Sequence, residues 1–195
     1  MTAFVLATTN LHKVEEMEAF FAGFDVQLRA RPMNVLDVEE TSDTLEGNAL
    51  LKAKALSEAT GDAAVADDTG LFVDALGGRP GVFSARYAGA GATDADNVAK
   101  LLGELAQLSD DRRGAYFRTV IAISYPNGDF FTVDGVLDGV IASSPRGGRG
   151  FGYDPVFVPR ETSGRTLAEL TLTEKNAISH RGRALRALAM KLRGE

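Results

Sequence analysis

The chain has 195 residues, of which 45% are hydrophobic and 25% charged, and its formal net charge is −6. This length suits one domain over residues 1–195, and the absence of cysteine excludes a disulfide scaffold, a thiolate zinc site and a cysteine nucleophile. No apolar run approaches the roughly 20 residues of a membrane helix, no basic region typical of a secretory signal opens the chain, and the acidic charge balance disfavours nucleic acid as a partner, so we expect a cytoplasmic protein.

The first 60 residues of the chain alternate between strand and helix patterns. A short apolar strand at residues 4–7 leads into a predicted amphipathic helix with Asn10 as its N-cap. The predicted buried face of this helix consists of Leu11, Val14, Met17 and Phe21, and its exposed side of Glu15, Glu16 and Glu18. Residues 25–31 predict a second strand, and residues 48–60 a second helix that Asn48 would cap.

The rest of the chain begins with a short strand at residues 63–66, which we expect to end in a polar turn at residues 67–70. Further predicted elements are a helix starting at residues 93–96, a hairpin of residues 116–125 and 129–136, a glycine-rich loop at residues 144–155 and a helix at residues 179–193. Predicted strands and helices alternate in the N-terminal part of the chain, and two longer strands are predicted to pair further along it. This order predicts an α/β fold with a mixed sheet.

The first strand–loop–helix segment has the composition of an anion site. Thr8, Thr9 and Asn10 supply hydroxyl and amide groups where the amides of a helix N-terminus point outward, and Lys13 lies on the first turn. The alternative is that Asn10 only caps the helix and Lys13 is a solvated surface residue.

Two adjacent carboxylates, Asp67 and Asp68, follow an apolar strand. Carboxylate oxygens suit Mg²⁺, and both side chains could approach one cation if the segment is a turn. An ordinary turn closed by Gly70 is the alternative. Glu40, in the acidic run ahead of the second helix, could supply another metal ligand or could be a solvated loop charge.

The glycine-rich loop contains Phe151, Tyr153 and Asp154 but no dinucleotide-binding spacing. Its rings could stack on a flat ligand, or they could belong to the core. Lys175, His180 and Arg181 lie in the basic segment 160–195, which holds 8 basic and 4 acidic residues. Such a segment is either a solvated helix or a binding site for an anion, and a cation at a helix start needs an anionic partner.

Six segments in order resemble the inosine triphosphate pyrophosphatase family, whose members hydrolyse non-standard purine nucleoside triphosphates. They are TTNLHK, EET followed by GNALLKAKA, ADDTGL, GGRPGVFSARYAG, GGRGFGYDPVF and LTLTEKNAISHRGRAL. The resemblance covers nearly the whole chain. It implies an elongated mixed β-sheet with flanking helices, two lobes around a central nucleotide cleft, Mg²⁺ as cofactor and a homodimer.

The resemblance also implies roles for individual residues. Asp68 would be the catalytic proton acceptor and, together with Glu40, would hold the metal. Because its adjacent carboxylate also suits Mg²⁺, we expect Asp67 to hold the metal as well. The residues expected to bind substrate are Thr8, Thr9, Asn10, Lys13, Thr69, Phe151, Gly152, Tyr153, Asp154, Lys175, His180 and Arg181. We expect Lys52 to join them because its positive charge would offset the negative charge of the triphosphate.

The expected activity is hydrolysis of ITP, dITP and XTP to the monophosphate and pyrophosphate, which removes them from the nucleotide pool. Two alternatives remain open: a related enzyme that acts on modified pyrimidine triphosphates, and a regulatory protein that binds nucleotides without hydrolysing them. The paired aspartates and Lys13 argue against pure binding, because binding alone needs no activated water.

Overall fold

The computed structural model describes residues 2–24 and 26–194, and of Thr2 the backbone only. The strands in these ranges are β1 (Thr2–Leu6), β2 (Val26–Arg29), β3 (Ala64–Val73), β4 (Pro80–Gly81), β5 (Gly114–Ser124), β6 (Phe130–Ile141) and β7 (Phe157–Pro159). The α-helices are α1 (Leu11–Phe21), α2 (Leu45–Thr60), α3 (Asp94–Glu104), α4 (Leu172–Ile178) and α5 (His180–Arg193). Asp25, with which the second predicted strand begins, lies outside the described residues.

The strands form a mixed sheet, as the sequence predicts. The strand order is β2-β1-β3-β5-β6-β7, with β4 paired to β3. β1 runs parallel to β2 and β3, whereas β4 and β7 pair antiparallel with β3 and β6. The hairpin of β5 and β6 is confirmed, and both strands are longer than predicted.

The chain divides into two compact units. The first takes the described residues of 1–68, 119–135 and 181–195, and the second takes residues 69–118 and 136–180. None of the helices in the described part of the chain is both long enough and apolar enough to span a bilayer.

The first unit packs α1 and α5 into a core with β1 and β3. Its fully buried side chains include Phe4, Met17 and Leu185. Leu11 departs from the predicted buried face, because this first residue of α1 is 80% exposed. Glu16, predicted to be on the solvent side, is only 3% exposed.

Helix α2 begins three residues earlier than predicted. Its N-cap is Thr44, whose hydroxyl accepts a hydrogen bond from the amide of Gly47. Asn48 is fully buried inside the helix, and its Oδ1 accepts a hydrogen bond from the amide of Ser42 at 2.9 Å. Asn48 is therefore not the cap but fastens the preceding loop, which carries Glu40, to the helix.

The second unit packs α3 and the loops around β4 and β7 against its strands. Its core contains Leu71, Leu101, Leu137 and Phe157. Thr93 and Asp96 form a capping box at the start of α3, which confirms the predicted helix start. The sequence prediction missed α4, which precedes α5 and carries Lys175.

The predicted turn at residues 67–70 is wrong. β3 continues through Asp67 and Asp68 to Val73, and both aspartates are buried. Because successive side chains of a strand point to opposite faces, the two carboxylates do not approach one cation from the same side. The strand tolerates buried acids here because basic side chains compensate them: Lys13 and Arg181 lie against Asp67, and Lys52 lies against Asp68.

Candidate active site

The first unit places a buried group of charged side chains around Asp67. The Oδ2 atom of Asp67 accepts hydrogen bonds from Nη2 of Arg181 at 2.9 Å and from Nε at 3.3 Å. Nζ of Lys13 lies 3.0 Å from the same oxygen. The guanidinium of Arg181 also donates from Nη1 to Glu16 at 2.5 Å. The fold thus brings together three predicted site residues, Lys13, Asp67 and Arg181, and adds Glu16, which the sequence did not predict as a site residue.

These charges keep the Asp67 carboxylate ionised. Burial raises the pKa of Asp67, but Lys13 and Arg181 outweigh that effect and hold it well below the ordinary value. The side chains of Glu16, Asp67 and Arg181 are at most 4% exposed. Arg181 lies at the start of α5, where a cation is expected to need an anionic partner. Asp67 and Glu16 both serve as that partner. A substrate-binding role of Arg181 stays a prediction.

A second charged group of the first unit centres on Lys52 of α2. Its Nζ donates to Oε1 of Glu40 at 2.8 Å and to the backbone carbonyl of Asp67 at 2.8 Å, and it lies 3.4 Å from Oδ1 of Asp68. Burial lowers the pKa of Lys52, but the carboxylates of Asp68, Asp67 and Glu40 raise it above the ordinary value. Lys52 therefore stays charged and holds Glu40 close to Asp68.

Asp68 has one carboxylate oxygen in use and one available. Its Oδ2 atom is buried and has no hydrogen-bond partner among the described residues. Burial raises the pKa of Asp68, Glu40 and Asp67 add to the rise, and Lys52 and Lys13 oppose it. A buried carboxylate with an available oxygen and increased proton affinity is suited to accept a proton or to hold a hard cation.

The carboxylates of Glu40 and Asp68, two of the three predicted metal ligands, have the donor chemistry that the predicted metal requires. Their oxygens match the preference of Mg²⁺ for hard oxygen ligands. Within residues 2–24 and 26–194, no three His, Asp or Glu side chains are already arranged to hold a metal ion. Metal binding by Glu40, Asp67 and Asp68 stays a prediction.

The loop from Thr8 to Lys13 is organised by its own side chains. Oδ1 of Asn10 accepts hydrogen bonds from the amides of His12 at 3.0 Å and Lys13 at 3.4 Å, which confirms that Asn10 caps α1. Oγ1 of Thr8 accepts from the Asn10 amide at 3.2 Å, and Thr9 is exposed. Phosphate binding by this loop stays a prediction.

The second unit contains a separate polar group built on the glycine-rich loop. Nζ of Lys175 lies 2.5 Å from Oδ2 of Asp154, and both side chains are at most 5% exposed. The same oxygen accepts a hydrogen bond from the Phe151 amide at 3.0 Å. Lys175 also lies 4.7 Å from the centre of the Phe151 ring, so this cation faces an aromatic ring that is only half-buried.

The other predicted residues of the second unit differ in exposure. Tyr153 is buried and donates its hydroxyl to the carbonyl of Ser84 at 2.8 Å, which fits the alternative that its ring belongs to the core. His180 is buried, and its ring stacks on Phe117 at 4.6 Å. Thr69 is half-buried on β3. Phe151 is therefore the more accessible of the two predicted aromatic rings.

Two residues of these groups escaped the sequence prediction. Glu16 lies three residues after Lys13 on α1, so the two share a face of the helix, and that spacing could have identified it. Asp94 accepts a hydrogen bond from the amide of Gly152 at 2.7 Å. Because 58 residues separate the two, no local pattern signals this contact.

Replacement of Gly150 by alanine is expected to destabilise the glycine-rich loop. Gly150 has φ of +73°, and an added Cβ would lie 2.0 Å from Oδ2 of Asp154. The left-handed backbone alone costs about 1–2 kcal/mol for alanine. Urea denaturation should show at least this loss for Gly150→Ala. Gly148→Ala is the matched control, because nothing lies within 4 Å of its added Cβ, and equal stability of the two variants would contradict the prediction.

The cap of α4 predicts a specific pH dependence. The Thr171 amide donates to Glu174 at 2.8 Å and Arg165 lies 3.1 Å from its other oxygen, which lowers the pKa of Glu174 to about 2 from 4.5. Ionised Glu174 therefore stabilises the fold above about pH 4.5, and this contribution is lost as the pH falls towards about 2. In thermal unfolding, the difference in Tm between the native protein and Glu174→Gln should shrink across that range. A constant difference would contradict the prediction.

Comparison with known proteins places the whole chain among close relatives. A family model described as the Ham1 family matches residues 4–191. A Streptomyces coelicolor protein named dITP/XTP pyrophosphatase is 48% identical, over 99% of this chain and 98% of its own length. A Geobacter sulfurreducens protein of the same name is 50% identical, over 96% of this chain and 95% of its own length.

Solved structures agree with this similarity. The structure of a HAM1 protein from Coxiella burnetii superposes with a TM-score of 0.90 at 43% sequence identity, with 100% of both chains covered.

Proposed function

The chain belongs to the Ham1 family, and on that premise we propose that it hydrolyses the non-standard purine nucleoside triphosphates dITP, XTP and ITP to the monophosphate and pyrophosphate. The observation that carries the proposal is the identity of 48–50%, over nearly full length, to proteins named dITP/XTP pyrophosphatase. The family resemblance inferred from the six sequence segments is confirmed by the same finding.

Asp68 is the general base of the proposed reaction. Its available Oδ2 accepts a proton from the water whose oxygen attacks the α-phosphorus, and the bond from that phosphorus to the bridging oxygen breaks as pyrophosphate leaves. The raised pKa of Asp68 makes it a stronger base than an exposed aspartate. Lys52 keeps the side chain in place through its contact with Oδ1.

Mg²⁺ is the proposed cofactor, with Glu40 and Asp68 as its principal ligands. When bound, the ion would polarise a phosphoryl oxygen and offset part of the triphosphate charge. Asp67, the third predicted ligand, bonds to Lys13 and Arg181 through Oδ2 and keeps these cations in position. Lys13 would then contact the phosphates.

Base binding is assigned to the glycine-rich loop. Phe151 would stack on the purine, and Lys175, fixed by Asp154, would supply a donor beside it. The O6 atom of hypoxanthine or xanthine accepts a hydrogen bond, whereas adenine carries a donor there. Two facing donors in ATP would cost about 1–3 kcal/mol, or roughly a 5- to 150-fold loss of kcat/KM.

A panel of nucleotides tests the activity. With Mg²⁺ present, dITP, ITP, XTP, GTP, ATP and dUTP are compared by kcat/KM, and the metal is then removed with a chelator and restored. The proposal expects the highest values for dITP, ITP and XTP and loss of turnover without the metal. A preference for dUTP would support the pyrimidine alternative instead, and absence of turnover would support a binding protein.

We further propose that the protein is a homodimer in the cytoplasm. The support for a dimer is the family resemblance, and the support for the location is the nature of the proposed substrates, which belong to the nucleotide pool. Light scattering after size-exclusion chromatography should give twice the chain mass of 20.7 kDa. A mass equal to that of one chain would contradict the proposed dimer.

A further inference from the structure

We propose that Asp94, on helix α3, is a positioning residue for base recognition, because it fixes the peptide between Phe151 and Gly152. The inference rests on the proposed function, in which Phe151 stacks on the purine. The contact that carries it is the hydrogen bond from the Gly152 amide to Oδ2 of Asp94 at 2.7 Å, between residues 58 positions apart. Asp94 belongs to none of the residues that the sequence pattern assigned to substrate.

The geometry of this bond explains how it acts on the ring. The Gly152 amide belongs to the peptide plane that begins at the carbonyl of Phe151, so holding this amide fixes the rotation of the backbone on the C-terminal side of Phe151. The amide of Phe151 itself is held by Asp154 at 3.0 Å. With the backbone held on both sides of Phe151, the direction in which its side chain leaves the loop is determined.

The contact between Asp94 and Gly152 adds to a hydrogen bond within the loop, because the amide of Asp154 donates to the carbonyl of Phe151 at 3.2 Å and so holds the same peptide. Asp154 contacts Phe151 and Lys175, and Tyr153 donates to the carbonyl of Ser84. Gly152 has φ of +60° and no side chain, so without Asp94 its peptide would lose the hydrogen bond that ties it to helix α3 and would gain rotational freedom. A carboxylate that accepts from a backbone amide is also a stronger partner than a neutral acceptor.

Helix α3 is a rigid support for Asp94. The capping box of Thr93 and Asp96 closes its first turn. Asn97 accepts from the amide of Ala88 at 2.8 Å and donates to the carbonyl of Ala85 at 3.2 Å. Leu101, one turn further along, is fully buried. The helix cannot turn without breaking these contacts, and therefore the backbone of Asp94 stays in place beside the glycine-rich loop.

Two substitutions separate the hydrogen bond from the charge. Asp94→Ala removes the acceptor and the charge, whereas Asp94→Asn keeps a carbonyl oxygen as acceptor and loses only the charge. Both lose the same favourable interaction with the N-terminus of the helix. A positioning role through the hydrogen bond therefore predicts a defect in Asp94→Ala that Asp94→Asn largely repairs.

The kinetic test uses dITP as substrate and inorganic tripolyphosphate, which has no base, as a competitive inhibitor. Asp94→Ala is expected to raise KM for dITP about tenfold, the equivalent of one hydrogen bond, with kcat changed less than about twofold. The inhibition constant of tripolyphosphate should not change, and Asp94→Asn should stay within about threefold of the native KM. Amide hydrogen exchange at Gly152 should be faster in Asp94→Ala and near native in Asp94→Asn.

The possible failures are distinguishable. An unchanged KM in Asp94→Ala, an equal loss of dITP and tripolyphosphate binding, or an equal defect in both variants would overturn the inference while the proposed function stands. A native protein that neither binds nor hydrolyses dITP would overturn the proposed function and this inference with it.

Discussion

Asp68→Asn should lower kcat for dITP by about 10²- to 10⁴-fold, the usual contribution of a general base. The amide keeps the shape of the side chain and can still accept from Lys52, but it cannot take a proton from water. The buried Oδ2 of Asp68, which has no partner within the described part of the chain, is the atom on which this expectation depends. Steady-state kinetics at saturating Mg²⁺ give the effect on turnover, and equilibrium binding of dITP should remain measurable.

Asp43→Asn is the matched control for this substitution. Asp43 is exposed in the loop that also carries Glu40, so the same chemical change there should alter kcat by less than about twofold. Turnover of Asp68→Asn within tenfold of the native rate, in a protein that is folded and supplied with metal, would exclude Asp68 as the general base.

Arg181→Met should reduce the free energy of unfolding by about 3–5 kcal/mol, a large part of the stability of a domain of this size. The guanidinium is 2% exposed and bonds to Asp67 and Glu16 at once. Methionine fills part of the volume but leaves both carboxylates buried without this cation. Urea denaturation measures the loss directly.

Two further variants give this prediction its controls. Arg193→Met removes an exposed arginine from the end of the same helix and should change the stability by less than about 1 kcal/mol. The double variant Glu16→Gln and Arg181→Met should lose less than the sum of the single losses, because Glu16 no longer needs a cation. Additive losses, or a loss below about 1 kcal/mol in Arg181→Met, would show that the ion pairs do not stabilise the fold.

The elements with strong periodic or capping signals could be predicted from the sequence. The capping box at Thr93 and Asp96, the N-cap at Asn10 and the hairpin around Pro126-Asn127-Gly128 are all present. Each depends on residues within a few positions of one another, so a local pattern contains the necessary information.

The errors have two causes, contacts with residues distant in sequence and the limits of a periodic pattern at a helix end. Asp67 and Asp68 resemble a turn in isolation, but Lys13, Lys52 and Arg181 compensate their charges and allow β3 to continue. Leu11 fits the apolar face of α1 by spacing, yet it lies at the helix start and is exposed. Tertiary contacts outweighed local preference in the first case, and the end of the helix limited the periodic pattern in the second.

The sequence predicts which residues form the candidate site, but it does not predict their contacts. Lys13, Asp68 and Lys175 belong to segments on which the family resemblance rests. The sequence does not contain the pairing of Glu16 with Arg181 or of Asp94 with Gly152, because these contacts join segments 165 and 58 residues apart. Only the fold brings these partners together.

Hydrolysis of dITP in water enriched with ¹⁸O tests the central claim most directly. Attack of water on the α-phosphorus predicts that the label enters dIMP and that the released pyrophosphate is unlabelled. Label in pyrophosphate, or release of orthophosphate in place of pyrophosphate, would contradict the proposed reaction.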